Sequence, residues 1–255
     1  MAELLSQVQT FFLVFIRVTA FMATAPFFGV RSVPFLAKAG LGFLVALLLY
    51  LAVPAGTATT GNPWLFALAA VNETLFGLAL GYLANLIFVA ITTAGELLDL
   101  HMGLSMATLF DPQNAFTTTL LGEFFTIFGL LLFLQVDGHH MLLLALSDSL
   151  QLVPLGGAGL SGNPVELAAR LFAGTFLLAL RIAAPVIVVL VISDIALGLV
   201  ARTVPQLNVF ILGFPLKVGL GLLILLIIFP LLATVFGNLF GQMERDLITV
   251  LRSWS

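Results

Sequence analysis

Acidic and histidine side chains suited to metal or proton chemistry occur in two short segments of the sequence. In the first, Glu96 and Asp99 are spaced i, i+3, so a helix places them on one face while His101 points away. The Glu-x-x-His pattern of di-metal sites in helical bundles is absent. We expect a polar helix end or hydrogen bonds between helices, with a metal site or a proton relay as the alternative.

The second segment holds Asp137, His139 and His140. Asp137 and His140 are also spaced i, i+3, but Gly138 lies between them and makes a turn as plausible as a helix. A metal ion would need a further ligand from a flanking helix, and the sequence places none there. We expect a turn at the bilayer surface, with a proton-linked role and a metal site as alternatives.

Motifs of hydrolytic enzymes are missing from the sequence. The serines form no Gly-x-Ser-x-Gly elbow, the zinc motif His-Glu-x-x-His is absent, and the chain has no cysteine. We therefore expect a protein that is not an enzyme, and we assign no catalytic, cofactor-binding or metal residues.

Polar side chains also cluster between two long apolar runs near the C-terminus. The cluster comprises Arg202, Pro205, Gln206, Asn208, Pro215 and Lys217. The two prolines predict that one helix ends and that the next is delayed. Polar groups next to segments apolar enough to span a membrane cost free energy to bury and usually have a function. We predict that the cations and amides hold the C-terminal helical hairpin against a partner or against the chain's own first hairpin.

Arg17 lies about halfway along the first apolar run. A cation in that position must pair, reach the bilayer surface or face a polar cavity. Snorkelling to the interface and bridging to another subunit both remain open.

The composition identifies an integral membrane protein. The chain is 61% hydrophobic and 8% charged, whereas an average soluble domain is about 45–50% apolar and about 25% charged. The net charge of −3 is too small to indicate a nucleic-acid partner. No positive region precedes the first apolar run, so we expect that run to stay in the mature protein. We predict a single helical domain over residues 1–255.

Six apolar stretches approach the about 20 residues that a membrane-crossing helix needs. They are 8–28, 39–53, 64–94, 120–136 with a continuation to 146, 171–200 interrupted by Pro185, and 210–240 with Pro215 and Pro230. Breaks of this kind are tolerated where neighbouring protein satisfies the backbone. This favours helices buried in an assembly, with ordinary kinked transmembrane helices as the alternative.

Several short sequence motifs resemble those of one family, the flagellar biosynthesis protein FliR, which is the R subunit of the type III export gate. The C-terminal motifs are Ala201-Arg202, Pro205-Gln206-Leu207-Asn208-Val209-Phe210 and Gly213-Phe214-Pro215-Leu216-Lys217. Further motifs that resemble the family are Ala25-Pro26-Phe27-Phe28-Gly29, Gly95-Glu96, Asp111-Pro112 and Gly138-His139-His140. The similarity extends through nearly the whole chain.

The resemblance implies an all-α, multi-helix integral membrane protein of about six long, partly broken helices, which form hairpins in a helical hetero-oligomeric gate. It implies P and Q subunits as partners, contact with the B and A subunits, membrane lipid around the gate, and no nucleic acid. It further implies passage of unfolded flagellar proteins across the bacterial inner membrane at the basal body, in a process that uses proton motive force.

Two sets of candidate residues follow. The family's plug segment corresponds to residues 103–119, with the candidates Gly103, Met106, Phe110, Asp111, Pro112 and Phe116. The candidates for subunit packing are Arg17, Arg31, Pro34, Lys38, Glu96, Arg202, Pro205, Gln206, Asn208, Pro215 and Lys217.

Two other functions stay open. The first is a secondary transporter of a small solute, because Pro185 and Pro230 predict broken helices. An Arg-x-Val-Pro motif also occurs twice, at Arg31 and at Arg202, which is compatible with two related halves. The homologous T subunit of virulence type III secretion systems is the other alternative, although the motif from Pro205 to Phe210 favours the flagellar branch.

Overall fold

Seven α-helices make up the regular structure in the computed structural model, which describes residues 2–28, 34–51, 62–105, 119–157, 163–204, 206 and 209–254. They are α1 Ala2–Thr24, α2 Phe35–Tyr50, α3 Pro63–Met102, α4 Leu120–Gln135, α5 Gly138–Leu152, α6 Asn163–Thr203 and α7 Val209–Trp254. Within these ranges there is no β-strand. The all-α, multi-helix membrane fold predicted from the sequence is confirmed.

Helix lengths relate the fold to a bilayer. Four segments of the described chain are long and apolar enough to cross a membrane: Leu4–Thr24, Pro63–Met102, Val165–Thr203 and Leu212–Trp254. Helices α4 and α5 together satisfy the same criterion as one broken span. Helix α2 has 16 residues, about 24 Å of helix, which is short of the about 30 Å hydrocarbon core.

The fourth apolar stretch forms two helices because the backbone turns sharply after Val136. Asp137 adopts the left-handed conformation (φ 56°, ψ 30°) and precedes the first residue of α5. Aspartate is one of the few residues with a side chain that visits this conformation readily. The turn expected between the two apolar runs is therefore present, and a helix follows it directly.

Prolines do not interrupt the two C-terminal helices, contrary to the sequence-based expectation. Helix α6 continues through Pro185, and α7 begins at Val209 and continues through Pro215 and Pro230. Each proline removes one hydrogen bond from the helical ladder and leaves a carbonyl one turn earlier without its usual donor. The helical geometry survives this loss, so Pro215 does not delay α7. Helix α6 does end, at Thr203, ahead of Pro205.

The described chain divides into two compact units, and the prediction of a single domain stays a prediction. The first unit comprises residues 1–87, 137–172 and 240–255. Its helices α1 and α3 approach closely at two glycines. A Cβ atom added to Gly77 would lie 2.5 Å from the carbonyl oxygen of Arg17, and one added to Gly81 would lie 2.4 Å from that of Phe21. Any larger residue would push these backbones apart.

The second unit comprises residues 88–136 and 173–239. An aromatic cluster packs α4 against α7: the ring centroids of Phe128 and Phe229 are 4.5 Å apart, and those of Phe125 and Phe236 are 6.0 Å apart. Gly129 of α4 leaves room for Ile91 of α3. The unit is held mainly by apolar packing, together with a few polar contacts such as that between the hydroxyls of Thr92 and Thr126 at 2.6 Å.

Candidate subunit-assembly site

A buried arginine joins three parts of the first unit. Arg17 of α1 is fully buried, as is Glu73 of α3. The guanidinium Nε donates to Glu73 Oε2, and Nη2 donates to Glu73 Oε1 at 3.0 Å. The planar fork of arginine suits this two-point contact with a carboxylate. The structure therefore shows that Arg17 is paired inside its own chain and does not snorkel to an interface.

The remaining donors of Arg17 reach the C-terminal end of α5. Nη1 donates to the carbonyl oxygens of Ser149 at 2.7 Å and Val153 at 3.2 Å, and Nη2 also donates to Val153 at 3.2 Å. The last carbonyls of a helix lack intrahelical donors and carry partial negative charge. The Val153 carbonyl lies beyond the helix, whereas the Ser149 carbonyl also accepts from the Val153 N–H at 3.1 Å. A guanidinium suits both oxygens at this negative helix end, and the five N–H groups of Arg17 are all used.

Glu73 extends the same network into the loop after α5. Its Oε1 accepts a hydrogen bond from the backbone N–H of Gly156 at 2.7 Å. Gly156 has φ +76°, a conformation that favours glycine. We call Arg17, Glu73, Ser149, Val153 and Gly156 the arginine clamp. It ties α1, α3 and the end of α5 together in a place where an unpaired charge would be very costly.

A second polar junction lies at the start of α4. Asp99 of α3 is fully buried, and its Oδ2 accepts from the backbone N–H groups of Leu121 at 2.8 Å and Gly122 at 3.4 Å. Thr119 caps the same helix, since its hydroxyl accepts from Gly122. Asp99 Oδ1 has no hydrogen-bond partner in the described parts of the chain. The expected hydrogen bond between helices is thus present at Asp99.

Glycine allows this junction to form. A Cβ added to Gly95 would lie 2.4 Å from the carbonyl oxygen of Leu121. Glu96 is half-buried and sits beside Gly122, with its Cγ 3.1 Å from where a Cβ of that glycine would be. The backbones of α3 and α4 are therefore in close contact at this point. In the sequence, α3 precedes residues 106–118 and α4 follows them.

The proposed plug segment lies mostly outside the described residues. Gly103 follows the end of α3 with φ +82°, and a Cβ there would lie 3.3 Å from the ring of Phe214. Met106, Phe110, Asp111, Pro112 and Phe116 fall in the undescribed range. The structure thus gives the two ends of the segment, at Gly103 and Thr119.

The C-terminal polar cluster separates into different environments. Lys217 of α7 forms an ion pair with Asp194 of α6, within the second unit. Arg202, Gln206 and Pro215 are exposed. Pro205 and Asn208 lie outside the described residues. The described members of the cluster are not joined to one another by hydrogen bonds or ion pairs, and its cation Lys217 joins α6 to α7.

The N-terminal packing candidates lie around the start of α2. Pro34 is the N-cap residue (φ −55°), Lys38 is half-buried, and Arg31 is outside the described residues. Contact of any of the packing candidates with another subunit stays a prediction.

Sequence reasoning missed Glu73, the most important partner in the arginine clamp. Its signal was available, because Glu73 is an acid inside the third apolar run and such residues are usually paired. Its partner is 56 positions away, and no periodic pattern connects the two. Ser149, Val153 and Gly156 were missed because they contribute backbone atoms.

Comparison with known proteins places this chain among bacterial export proteins. The model of the family described as "Bacterial export proteins, family 1" matches residues 8–243. The chain is 35% identical over 244 residues to the "Flagellar biosynthetic protein FliR" of Bacillus subtilis (strain 168), covering 94% of each chain. It is 35% identical over 248 residues to the protein of the same name from Escherichia coli (strain K12), covering 97% of this chain and 94% of that one.

A third bacterial relative gives a similar result. The chain is 34% identical over 234 residues to the "Flagellar biosynthetic protein FliR" of Aquifex aeolicus (strain VF5), covering 91% of this chain and 89% of that one. The family match over residues 8–243 covers parts of both compact units, and the positions of the arginine clamp and of the start of α4 fall within it.

Proposed function

Because this chain belongs to the FliR family of flagellar export proteins, we propose that it is the channel-forming R subunit of the flagellar type III export gate. Membership makes it a membrane component of the flagellar export apparatus. The proposal adds the specific role, in which the chain assembles with the P and Q subunits, contacts the B and A subunits and lines a path for unfolded flagellar proteins. We further propose a location at the basal body in the bacterial inner membrane, and no enzymatic activity.

The observation that carries the proposal is the surface of α6 and α7. Large apolar side chains are exposed along both helices, among them Phe176, Ile192, Leu199, Leu226 and Ile227. Lipid alone accounts for apolar exposure, but Pro185, Pro215 and Pro230 are exposed on the same helices. Their freed carbonyls need donors that lipid cannot offer, which supports a protein partner over this surface.

Helix length is a second support. Helices α3, α6 and α7 have 40, 41 and 46 residues, a contour of about 60–70 Å at 1.5 Å per residue. The hydrocarbon core is about 30 Å thick. Such helices exceed what a simple span requires, and an assembly of several subunits provides protein surroundings for the excess.

Residues 103–119 are proposed as the plug of this channel. A closing segment needs fixed ends, and Asp99 fixes the N-terminus of α4 while Gly103 packs against Phe214. Deletion of 106–118 should raise the leak of small ions through the assembled gate, measured as membrane depolarisation. An unchanged leak in a gate that still assembles would remove the plug role and leave the channel role intact.

Flagellar export in the native host tests the proposed function. Deleting the gene should abolish swimming and the secretion of hook and filament proteins, and the wild-type gene should restore both. A secondary transporter, the alternative that the sequence left open, would leave motility intact and change solute uptake instead. Normal secretion after deletion would contradict the export role.

A further inference from the structure

The turn before α5 brings together three side chains that can ligate a metal ion. One ligating atom from each of Asp137, His139 and His140 lies within 4.8 Å of the others. We propose that these residues bind a divalent transition-metal ion of the Zn²⁺ class. The proposal is independent of the export role. All three ligands lie within the four consecutive residues 137–140, so the site needs no other subunit.

Distances between the ligating atoms support this assignment. His140 Nδ1 is 3.5 Å from Asp137 Oδ1, and the two imidazole centroids are 4.2 Å apart. Zinc bonds of 2.0–2.2 Å place tetrahedral ligand atoms about 3.3 Å from each other. The observed spacing of at most 4.8 Å therefore approaches that of a coordination shell, and we expect side-chain rotations to complete it.

His139 supplies an independent reason to expect a ligand. Its Nδ1 atom is buried and has no hydrogen-bond partner within the described residues. Buried polar atoms are normally satisfied. The ring of Phe27 lies next to this imidazole, with centroids 6.2 Å apart, and limits the positions the ring can take. A metal ion on this imidazole would give His139 a partner that the described residues do not supply.

The kind of ion follows from the donor set. Two imidazoles and one carboxylate suit zinc, copper or nickel, whereas magnesium and calcium prefer oxygen ligands. Three protein ligands leave a position for water or for a side chain of a partner. Asp137 and His140 are exposed, so an ion can enter from solvent. The positive end of the α5 dipole opposes a cation, but its effect is small beside direct coordination to a carboxylate.

The ion would act as a local clip at the start of α5. Asp137 belongs to the left-handed turn, and both histidines belong to the first turn of the helix. Coordination would join the turn to the helix and hold the unusual backbone of Asp137 in place. Because zinc can be held by three protein ligands and a water, water can take the place of the further ligand that the sequence-based argument required from a flanking helix.

Metal binding by the purified full-length chain tests the proposal. The chain is prepared in detergent with an affinity tag that contains no histidine, stripped of metal, and titrated with Zn²⁺ by calorimetry. We expect one ion per chain with micromolar affinity. Asp137→Asn, His139→Ala and His140→Ala should each weaken binding at least about tenfold. His101→Ala, which replaces the third histidine of the chain, is the matched control and should bind as wild type does.

Two further readouts keep the test decisive. X-ray absorption at the zinc edge should show nitrogen and oxygen ligands with imidazole scattering, and circular dichroism should show that every variant stays helical. Mg²⁺ should not compete. Absence of micromolar binding, or binding that survives all three site substitutions, would overturn the proposal. Equal loss with His101→Ala would also overturn it.

Discussion

Arg17 and Glu73 form an ion pair with both side chains fully buried, between helices α1 and α3. The guanidinium also lies 4.5 Å from the centre of the Phe76 ring, so one of its faces meets an aromatic surface. A buried pair of this kind contributes little over an apolar pair, but removing one member leaves an uncompensated charge. The arginine clamp is therefore a point where single substitutions should have large effects.

Glu73→Gln and Arg17→Ala should each destabilise the chain by about 3–5 kcal/mol. The physical reason is the charge that each substitution leaves buried without its partner. Thermal unfolding of the detergent-solubilised chain measures the loss. The exposed pair of Glu166 and Arg170 is the matched control, since Glu166→Gln should cost less than about 1 kcal/mol. Equal effects at the two pairs would contradict the clamp.

The double substitution Arg17→Leu with Glu73→Leu separates the charge effect from the packing effect. It leaves no unpaired side-chain charge, so its loss should be smaller than the sum of the losses of Arg17→Leu and Glu73→Leu measured singly. The Val153 carbonyl still loses its guanidinium donors, while that of Ser149 keeps only the N–H of Val153, so stability should not return fully. A simple sum of the single effects would show that the two residues do not act as a pair.

Asp99→Ala should loosen the start of α4 by about 1–2 kcal/mol, the usual effect of losing a cap. Asp99→Asn keeps one side-chain oxygen for the amides of Leu121 and Gly122 and should lose less. Hydrogen exchange of those two amides measures the effect locally. Glu96→Gln is the control, because Glu96 is on the same helix and the structure shows no bond from it to these amides. Unchanged exchange in Asp99→Ala would reject the cap.

Gly77→Ala should cost about 1–3 kcal/mol through a clash with the Arg17 carbonyl. The added Cβ would lie 2.5 Å from that oxygen, closer than real Cβ contacts. Gly174→Ala is the matched control, since nothing lies within 4 Å of its Cβ position and alanine favours a helix by up to about 1 kcal/mol. The melting temperatures of the two variants should therefore change in opposite directions. A stabilised Gly77→Ala would mean that α1 and α3 are further apart.

Lys217→Asp and Asp194→Lys should each weaken the α6–α7 hairpin, because each places like charges side by side. The double exchange restores opposite charges and should recover gate assembly, measured as the yield of intact complex. Recovery would show that Lys217 acts within its own chain. If the double exchange assembles no better than the single variants, Lys217 also contacts a partner subunit, as its position in the polar cluster suggested.

The sequence predicts the helical fold well because the signals for it are local. Low charge, long apolar runs and a polar turn at Asp137 are sufficient to place the helices. The effect of the prolines was not predictable in the same way. Pro185, Pro215 and Pro230 are usual helix breakers, but α6 and α7 continue through them, which depends on the surroundings of each helix.

The candidate site was less predictable because it depends on contacts between distant residues. Arg17 was recognisable as a buried cation, but its partners are backbone oxygens more than 130 positions away and an acid 56 positions away. Asp99 and Glu96 share a helical face, yet only Asp99 bonds to the amides at the start of α4. That difference depends on which part of α4 packs against α3. The spacing of Glu96 and Asp99 in the sequence does not predict this packing.

Intact-complex mass measurement after mild-detergent purification from the native host tests the central claim most directly. The tagged chain should emerge in a large complex that contains the P and Q subunits, and Glu73→Gln should reduce its yield while Glu166→Gln leaves it unchanged. A chain that purifies alone or as a homodimer, in a host that is making flagella, would contradict the gate role and direct attention to solute transport.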